Sequence, residues 1–295
     1  MTPLRQRFIE EMQLRGLAPT TQRSYIHYVS EYARYFKLSP EHLDLEAVRQ
    51  FQLHLLEERK LSPESVNTYV SAVQFLYLET LDMPWKKEDF RRTRTARKLP
   101  VVLAPDQVRR LFDFIPGVKN RMALMLCFGA GLRVSEAAAF KTANIDSARM
   151  LLRVELGKGG KDRYTMLSPA LLEVLRIYFR VTRPAGDWLF PSWHPSRHIS
   201  PGVLQRACRE AWQLAGLPKR VTPHTLRHSF ATCLLDSGVD TRVIQVLLGH
   251  DNIETTARYT SVSPSKIAAT ASPAEQLLAG PSKKTQKQIA KSRAR

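Results

Sequence analysis

The chain has 295 residues, 43% hydrophobic and 24% charged, a balance that excludes a largely disordered protein and at this length favours two cores over one. Its 45 Lys and Arg against 27 Asp and Glu leave a net charge of +18, the electrostatic signature of a nucleic-acid partner, with an anionic membrane surface as the rival. Runs of about 18 apolar residues are missing and acids stand in MTPLRQRFIEEMQ where a signal peptide carries its apolar segment, so a soluble, cytoplasmic, nucleoid-associated chain with no membrane contact is expected.

Residues 1–84 predict a helical domain of four helices. Thr2-Pro3 and Ser62-Pro63 combine an N-cap with a first-turn proline, Thr20 or Thr21 can cap the second helix, and Gly16 can end the first. Apolar residues recur at helical spacing in Val48, Phe51 and Leu55 and again in Val66, Tyr69, Val70, Val73, Leu76 and Tyr77. Tyr25, Tyr28, Tyr32 and Tyr35 form a stripe that suits a core better than a stacking platform for bases.

Residues 85–103 are expected to be a basic linker. In KKEDFRRTRTARK the apolar periodicity lapses and the positive charges outnumber Glu88 and Asp89, so Arg91, Arg92, Arg94, Arg97 and Lys98 are candidates for a strap across phosphates.

Residues 104–272 predict a second, mixed domain. Helices are expected from Pro105 to Phe114, from about Lys119 to Phe128, and from Val134 to Phe140 after the Gly129-Ala130-Gly131 break. LLRVEL and RYTML read as two strands of a hairpin around Gly157-Lys158-Gly159-Gly160-Lys161, and helices follow. Cys127, Cys208 and Cys233 are widely spaced and lack a C-x-x-C pattern, which predicts reduced, buried thiols. Residues 273–295 open with SPAEQLL overlapping from Ser272 and end in a basic tail expected to be disordered; SPAEQLL suits either an intramolecular helix or docking on a neighbouring protomer.

The chemistry concentrates in the second domain. In TPHTLRHSFAT, Thr222 is an N-cap, Pro223 fits the first turn, and His224 and Arg227 share a face beside free N–H groups, an arrangement that favours an anion. His224 and His228 stand at zinc-ligand spacing, but Thr225 replaces the glutamate expected after the first His and Arg227 would repel a dication, so no metal and no cofactor is expected. Asp240 caps a helix that Gly249 stops, delivering His250, and Tyr259 lies beyond it.

Taken together, GAGLRVSE around Arg133, GKGGKDR around Lys158, TPHTLRHSFAT, LLGH ending at His250 and TTARYTSVS around Tyr259 resemble, in kind and order, the motifs of the tyrosine recombinase (phage integrase) family, above all its Xer-type and bacterial site-specific integrase branch. The resemblance implies a mainly α fold with a small antiparallel β-sheet: an N-terminal helical SAM-like core-binding domain and a C-terminal mixed α+β catalytic domain. It implies Arg133, Lys158, His224, Arg227 and His250 as the catalytic set around the nucleophile Tyr259, and Glu136 as the acid that supports them; read blandly, Glu136 is a surface ion pair. Lys158 is favoured over Lys161 as the hairpin lysine, leaving Lys161 as a phosphate contact. Pro169 to Arg220 shows no surplus for the extra helix of integron integrases. The implied partners are double-stranded DNA and further copies of the chain in a tetramer, with a 3′-phosphotyrosyl intermediate and a Holliday junction. Type IB topoisomerase activity and non-catalytic DNA binding are the alternatives.

Overall fold

The computed structural model describes residues 1–95, 101–155, 162–249, 270, 272 and 273. It is mainly helical, with one small antiparallel sheet, and divides into two compact units, residues 1–98 and 99–295. The four predicted helices of the first unit are α1 (Pro3–Leu14), α2 (Pro19–Phe36), α3 (Leu45–Leu53) and α4 (Pro63–Phe75). Thr2 and Ser62 accept the capping bonds of α1 and α4, and Gly16 takes φ +64° just after α1. The start of α2 differs from expectation. Pro19 takes the first helical position, Ala18 becomes an N-cap with no side-chain bond, and Thr20 and Thr21 fall inside the first turn. Single π-helical turns, His54–Glu58 and Leu76–Thr80, prolong α3 and α4.

The tyrosine stripe is mostly core. Tyr32 is fully buried with its hydroxyl 3.1 Å from that of Tyr77, Tyr28 packs against Tyr69 with the rings tilted, and Tyr25 meets Phe75 edge-on, whereas Tyr35 keeps an exposed edge.

The segment read as the start of the linker belongs to this unit. Trp85 packs on Tyr77 and Phe90 is buried in the same core, because two aromatic rings in a charged run gain more from burial than the chain gains from staying loose. Asn67 then grips Thr93 at both backbone groups, donating to its carbonyl at 2.8 Å and accepting from its N–H at 2.9 Å. The Arg92 guanidinium donates to Asn67 O, Ser71 Oγ and Gln74 Oε1 on α4, so this arginine is committed to its own unit, while Arg91 and Arg94 are exposed.

The second unit carries α5 (Pro105–Asp113), α6 (Val118–Gly129), α7 (Val134–Ala138), β1 (Ile145–Asp146), β2 (Leu151–Val154), β3 (Arg163–Met166), α8 (Pro169–Thr182), α9 (Pro201–Leu214), α10 (Pro223–Asp236) and α11 (Thr241–Leu248). α6 is apolar all round from Met122 to Gly129 and accordingly sits at the centre, packed by α7, α8, α9 and α10. The sheet has order β1-β2-β3, and the predicted hairpin is its β2–β3 pair, in register at Leu151 with Met166 and Leu152 with Thr165. Leu152 and Val154 join the main core, whereas Leu151 and Met166 meet Phe230, Ile244, Leu247 and Leu248 on α10 and α11. β1 was not expected; at two residues it is too short to show an alternation.

Cys127 and Cys208 are buried free thiols, and Cys233 is only partly covered. Burial pushes the Cys208 thiol up to about 12, which leaves it protonated and inert at neutral pH. Among the described residues no helix is long and apolar enough to cross a membrane.

Because α6 touches four helices, truncating its fully buried Leu126 to Ala is expected to cost about 2–5 kcal/mol. Urea denaturation followed by circular dichroism should show a lower midpoint at an unchanged slope.

Candidate active site

The site begins at the turn between α6 and α7. Gly131 takes φ +67°, and a Cβ there would lie 2.6 Å from the ring of Phe230, so only glycine lets the chain turn against α10. Thr165 on β3 holds the turn from the other side, its hydroxyl donating to Ala130 O at 2.8 Å. Arg133 is the N-cap of α7. Its backbone N–H donates to Glu136 Oε2 and its Nη1 to Glu136 Oε1, both at 2.8 Å, so the R-V-S-E spacing folds the arginine onto the acid one turn ahead.

Glu136 is no surface ion pair. Its side chain is 5% exposed and three guanidiniums surround it. Arg163 on β3 meets the carboxylate in a bidentate fork at 2.8 and 2.7 Å, and Arg227 on α10 stands 3.7 Å from Oε2. The capping box of Thr222 and Thr225 starts α10 as its sequence promised and puts Arg227 on the inward face, where Nη1 donates to Gly131 O at 2.6 Å.

These arginines also cap α11. Leu247 O accepts from Arg163 Nε at 3.0 Å, Leu248 O from Arg227 Nη2, and Gly249 O from Arg133 Nη2 at 2.8 Å. Carbonyls that end a helix lack partners and gather partial negative charge, so each guanidinium satisfies an orphan acceptor while adding favourable charge. Gly249, at φ +60°, is the expected stop, and a Cβ on it would lie 2.8 Å from Arg163 Cδ.

Burial pushes the Glu136 carboxyl up, but the bonds from Arg163 and Arg133 overcome it and hold the group down to about 2. The acid is therefore ionised, and three cations face one anion. Burial, then repulsion by Arg133 and Arg163, lowers Arg227 below the usual arginine value; a guanidinium stays protonated at neutral pH even so. The surplus positive charge suits a phosphodiester, whose non-bridging oxygens accept from a guanidinium fork.

His224 sits at the exposed start of α10, its ring 4.3 Å from that of His228 in an edge-on contact. Burial lowers its pKa, and His228, Arg227 and Arg133 lower it further, so the imidazole is neutral at pH 7. It borders a cavity of about 450 Å³ lined by Arg206, Arg209, Arg220 and Thr222. Among the described residues no group of three or more His, Cys, Asp or Glu side chains is arranged to hold a metal ion.

The structure thus brings together Arg133, Glu136 and Arg227 with His224 beside them, and adds Arg163 and the cavity arginines, which the sequence reasoning missed. The signal for Arg163 was present: in R-Y-T-M-L it shares the phase of buried Thr165 and Leu167, and an inward charge needs a counter-ion. Lys158, Lys161, His250, Tyr259, Arg97 and Lys98 lie outside the described residues. Arg153 on β2 pairs with Asp162, the residue before β3, at 2.8 Å.

Residues 4–87 match the N-terminal SAM-like domain of phage integrases, and residues 101–266 match the phage integrase family. The chain belongs to the phage integrase family. Integrase relatives include the "Putative integrase/recombinase y4qK" of Sinorhizobium fredii, 45% identical over 94% of this chain and 90% of that protein. Tyrosine recombinase XerA of Thermococcus onnurineus is 36% identical over 85% of this chain and 88% of the relative. The fold also matches a lambda integrase dimer bound to a COC' core site, with a TM-score of 0.70 at 19% identity over 84% of this chain and 94% of the other. The integrase described here is accordingly a tyrosine recombinase by family, two-domained and mainly α.

Gly131→Ala should combine the strain of a left-handed alanine with a clash against Phe230, and lower stability by about 2–4 kcal/mol. Gly16→Ala, at a similar φ but with no atom within 4 Å, should cost only about 1 kcal/mol. Parallel chemical denaturation of the two variants reads the difference.

Proposed function

We propose that this integrase is a site-specific DNA recombinase that cleaves and rejoins duplex DNA through a 3′-phosphotyrosyl intermediate. The observation that carries the reading is the cluster of Arg133 and Arg227 around a single buried carboxylate, with a neutral His224 beside it. Donors fixed in a partly dry site stabilise the charge that grows on the non-bridging oxygens of a phosphate under attack, without having to reorient.

A phenol has a pKa of about 10 and needs help to attack at neutral pH. Tyr259 is the proposed nucleophile and His224 the group that takes its proton or assists in moving it. His250 adds a donor to the phosphate, and Lys158 protonates the departing 5′-oxygen, since an alkoxide leaves poorly. The covalent link conserves the bond energy of the cleaved strand, so rejoining needs no nucleotide cofactor; attack by the 5′-hydroxyl of a partner duplex yields a Holliday junction. Four protomers would act on two sites in turn. The solved structures of lambda integrase on a core site and of the Tn1549 transposon integrase with circular intermediate DNA support DNA as the partner. Arg91, Arg94, Arg97, Lys98 and Lys161 are proposed phosphate contacts, and the net charge of +18 suits a cytoplasmic protein that stays on the nucleoid.

The test starts from a nicked duplex library of random sequence, from which the wild-type chain captures its own site as a detergent-resistant adduct. Tyr259→Phe should abolish the adduct and leave DNA affinity intact; an adduct that survives in this variant assigns the nucleophile elsewhere. Strand exchange between two captured sites separates recombination from relaxation of a single duplex.

The pH profile of single-turnover cleavage gives a second check. A base works in its deprotonated form, above its pKa, and burial with neighbouring cations has lowered that of His224. The rate should therefore be on its plateau at pH 7 and fall only below the ordinary histidine value of about 6.5. An acid limb above that value would remove His224 from the role.

A further inference from the structure

The guanidiniums around Glu136 differ in what they have left to give. Arg163 uses all three of its nitrogens inside the protein, Nη1 and Nη2 on the two oxygens of Glu136 and Nε on Leu247 O, and its side chain is 9% exposed. Arg133 is 24% exposed, and its two bonds to acceptors, from Nη1 and Nη2, leave Nε and the second hydrogen of each Nη. Arg227 likewise donates from Nη1 and Nη2 to Gly131 O and Leu248 O. Arg163 thus spends three of its five N–H groups on the protein, Nε among them, whereas Arg133 and Arg227, the latter only 3% exposed, spend two each among the described residues and keep Nε uncommitted.

We propose that Arg163 is a positioning residue of the recombination centre: from β3 it clamps Glu136 to the end of α11, so that Arg133 and Arg227 keep their remaining donors for a DNA phosphate instead of spending them on the carboxylate. The inference rests on the recombinase reading above and adds to it a residue outside the catalytic set.

The physical case is one of competition. Without Arg163, two strong acceptor sites on a buried carboxylate fall open, and the cations within reach are Arg133 and Arg227, the latter already 3.7 Å from Oε2. Arg227 would gain by moving onto the carboxylate and Arg133, already bonded there through Nη1, by turning a second donor to it, and each such move withdraws positive charge from the site a phosphate would occupy. The same loss frees Leu247 O and loosens the helix end that leads directly into His250. Gly249 fits this role, since a Cβ there would occupy the path of the Arg163 side chain. Among the described residues, the charged and titratable groups facing Glu136 are Arg133 at the start of α7, Arg163 on β3, Arg227 on α10, and Cys127 on α6, whose thiol burial keeps protonated, and α11 presents carbonyls.

The experiment uses the full chain as wild type, R163K, R163M, E136Q and R163M/E136Q, with the duplex that the wild type captures from the random library as probe. For R163M the adduct rate at saturating DNA should fall about 30-fold or more while Kd stays within about threefold. R163K, which keeps the charge and reaches one oxygen, should recover part of that rate. In the E136Q background R163M should cost less than about threefold, because the arginine acts through the acid and the two losses do not multiply. Carboxyl-carbon NMR of Glu136 supplies a readout without DNA: held down near about 2 in the wild type, its titration midpoint should rise toward the ordinary carboxylate range in R163M.

A wild-type adduct rate in R163M, a loss confined to Kd, or a full multiplicative loss in the double variant would each overturn the proposal. If R163M does not fold, the rate and titration of R163K decide in its place. Failure of the wild type to capture any duplex would sink the recombinase reading, and the Glu136 midpoint would still decide separately whether Arg163 holds the carboxylate.

Discussion

A carboxylate taken out of water must be matched by donors or it will take up a proton, and the catalytic unit is organised around that requirement at Glu136. Its partners come from distant parts of the chain: Arg133 from the α6–α7 turn, Arg163 from the hairpin and Arg227 from α10. None of these elements could shift without breaking a charge-assisted bond in a place where water cannot replace it. The acid thereby fixes the relative positions of a turn, a sheet and a helix, and the excess of positive charge it leaves uncancelled is what a phosphate would use.

The end of α11 extends the same logic to the backbone. Three successive carbonyls, of Leu247, Leu248 and Gly249, each accept from a different guanidinium of the cluster. A helix end is ordinarily satisfied by its own chain, through a glycine turn or water. Here the turn is supplied by Gly249 and the donors by residues as far away in sequence as Arg133, so the geometry of the end of α11 and that of the arginines are set together.

What could be read from the sequence was what local chemistry determines. Thr2-Pro3, Ser62-Pro63 and Thr222-Pro223 start helices in the structure because a capping hydroxyl and a fixed proline φ act within one turn. The same proline rule, applied to Pro19, would have placed the start of α2 before Thr20. Arg133, His224 and Arg227 were legible through motif order, and Glu136 through the same resemblance, which pairs it with Arg133 one turn before. The linker boundary was not, because charge in KKEDFRRTRTARK masked Trp85 and Phe90, whose packing depends on joining the aromatic core around Tyr77. The commitment of Arg92 to α4 and of Arg163 to Glu136 is of the same kind: both lie between partners that composition and periodicity do not connect.

The depth of the arginine cluster sets how it responds to ionic strength. Dissolved ions screen exposed charges over about 8–10 Å at physiological salt but act weakly on pairs held away from solvent. Arg91 and Arg94 stand in water, whereas the Glu136 carboxylate and its fork with Arg163 are almost wholly covered. Raising the salt concentration would therefore screen the exposed arginines, the proposed phosphate contacts, long before it loosened the arrangement of the centre, so that on this reading affinity and internal geometry fall to two separate populations of the same residue type.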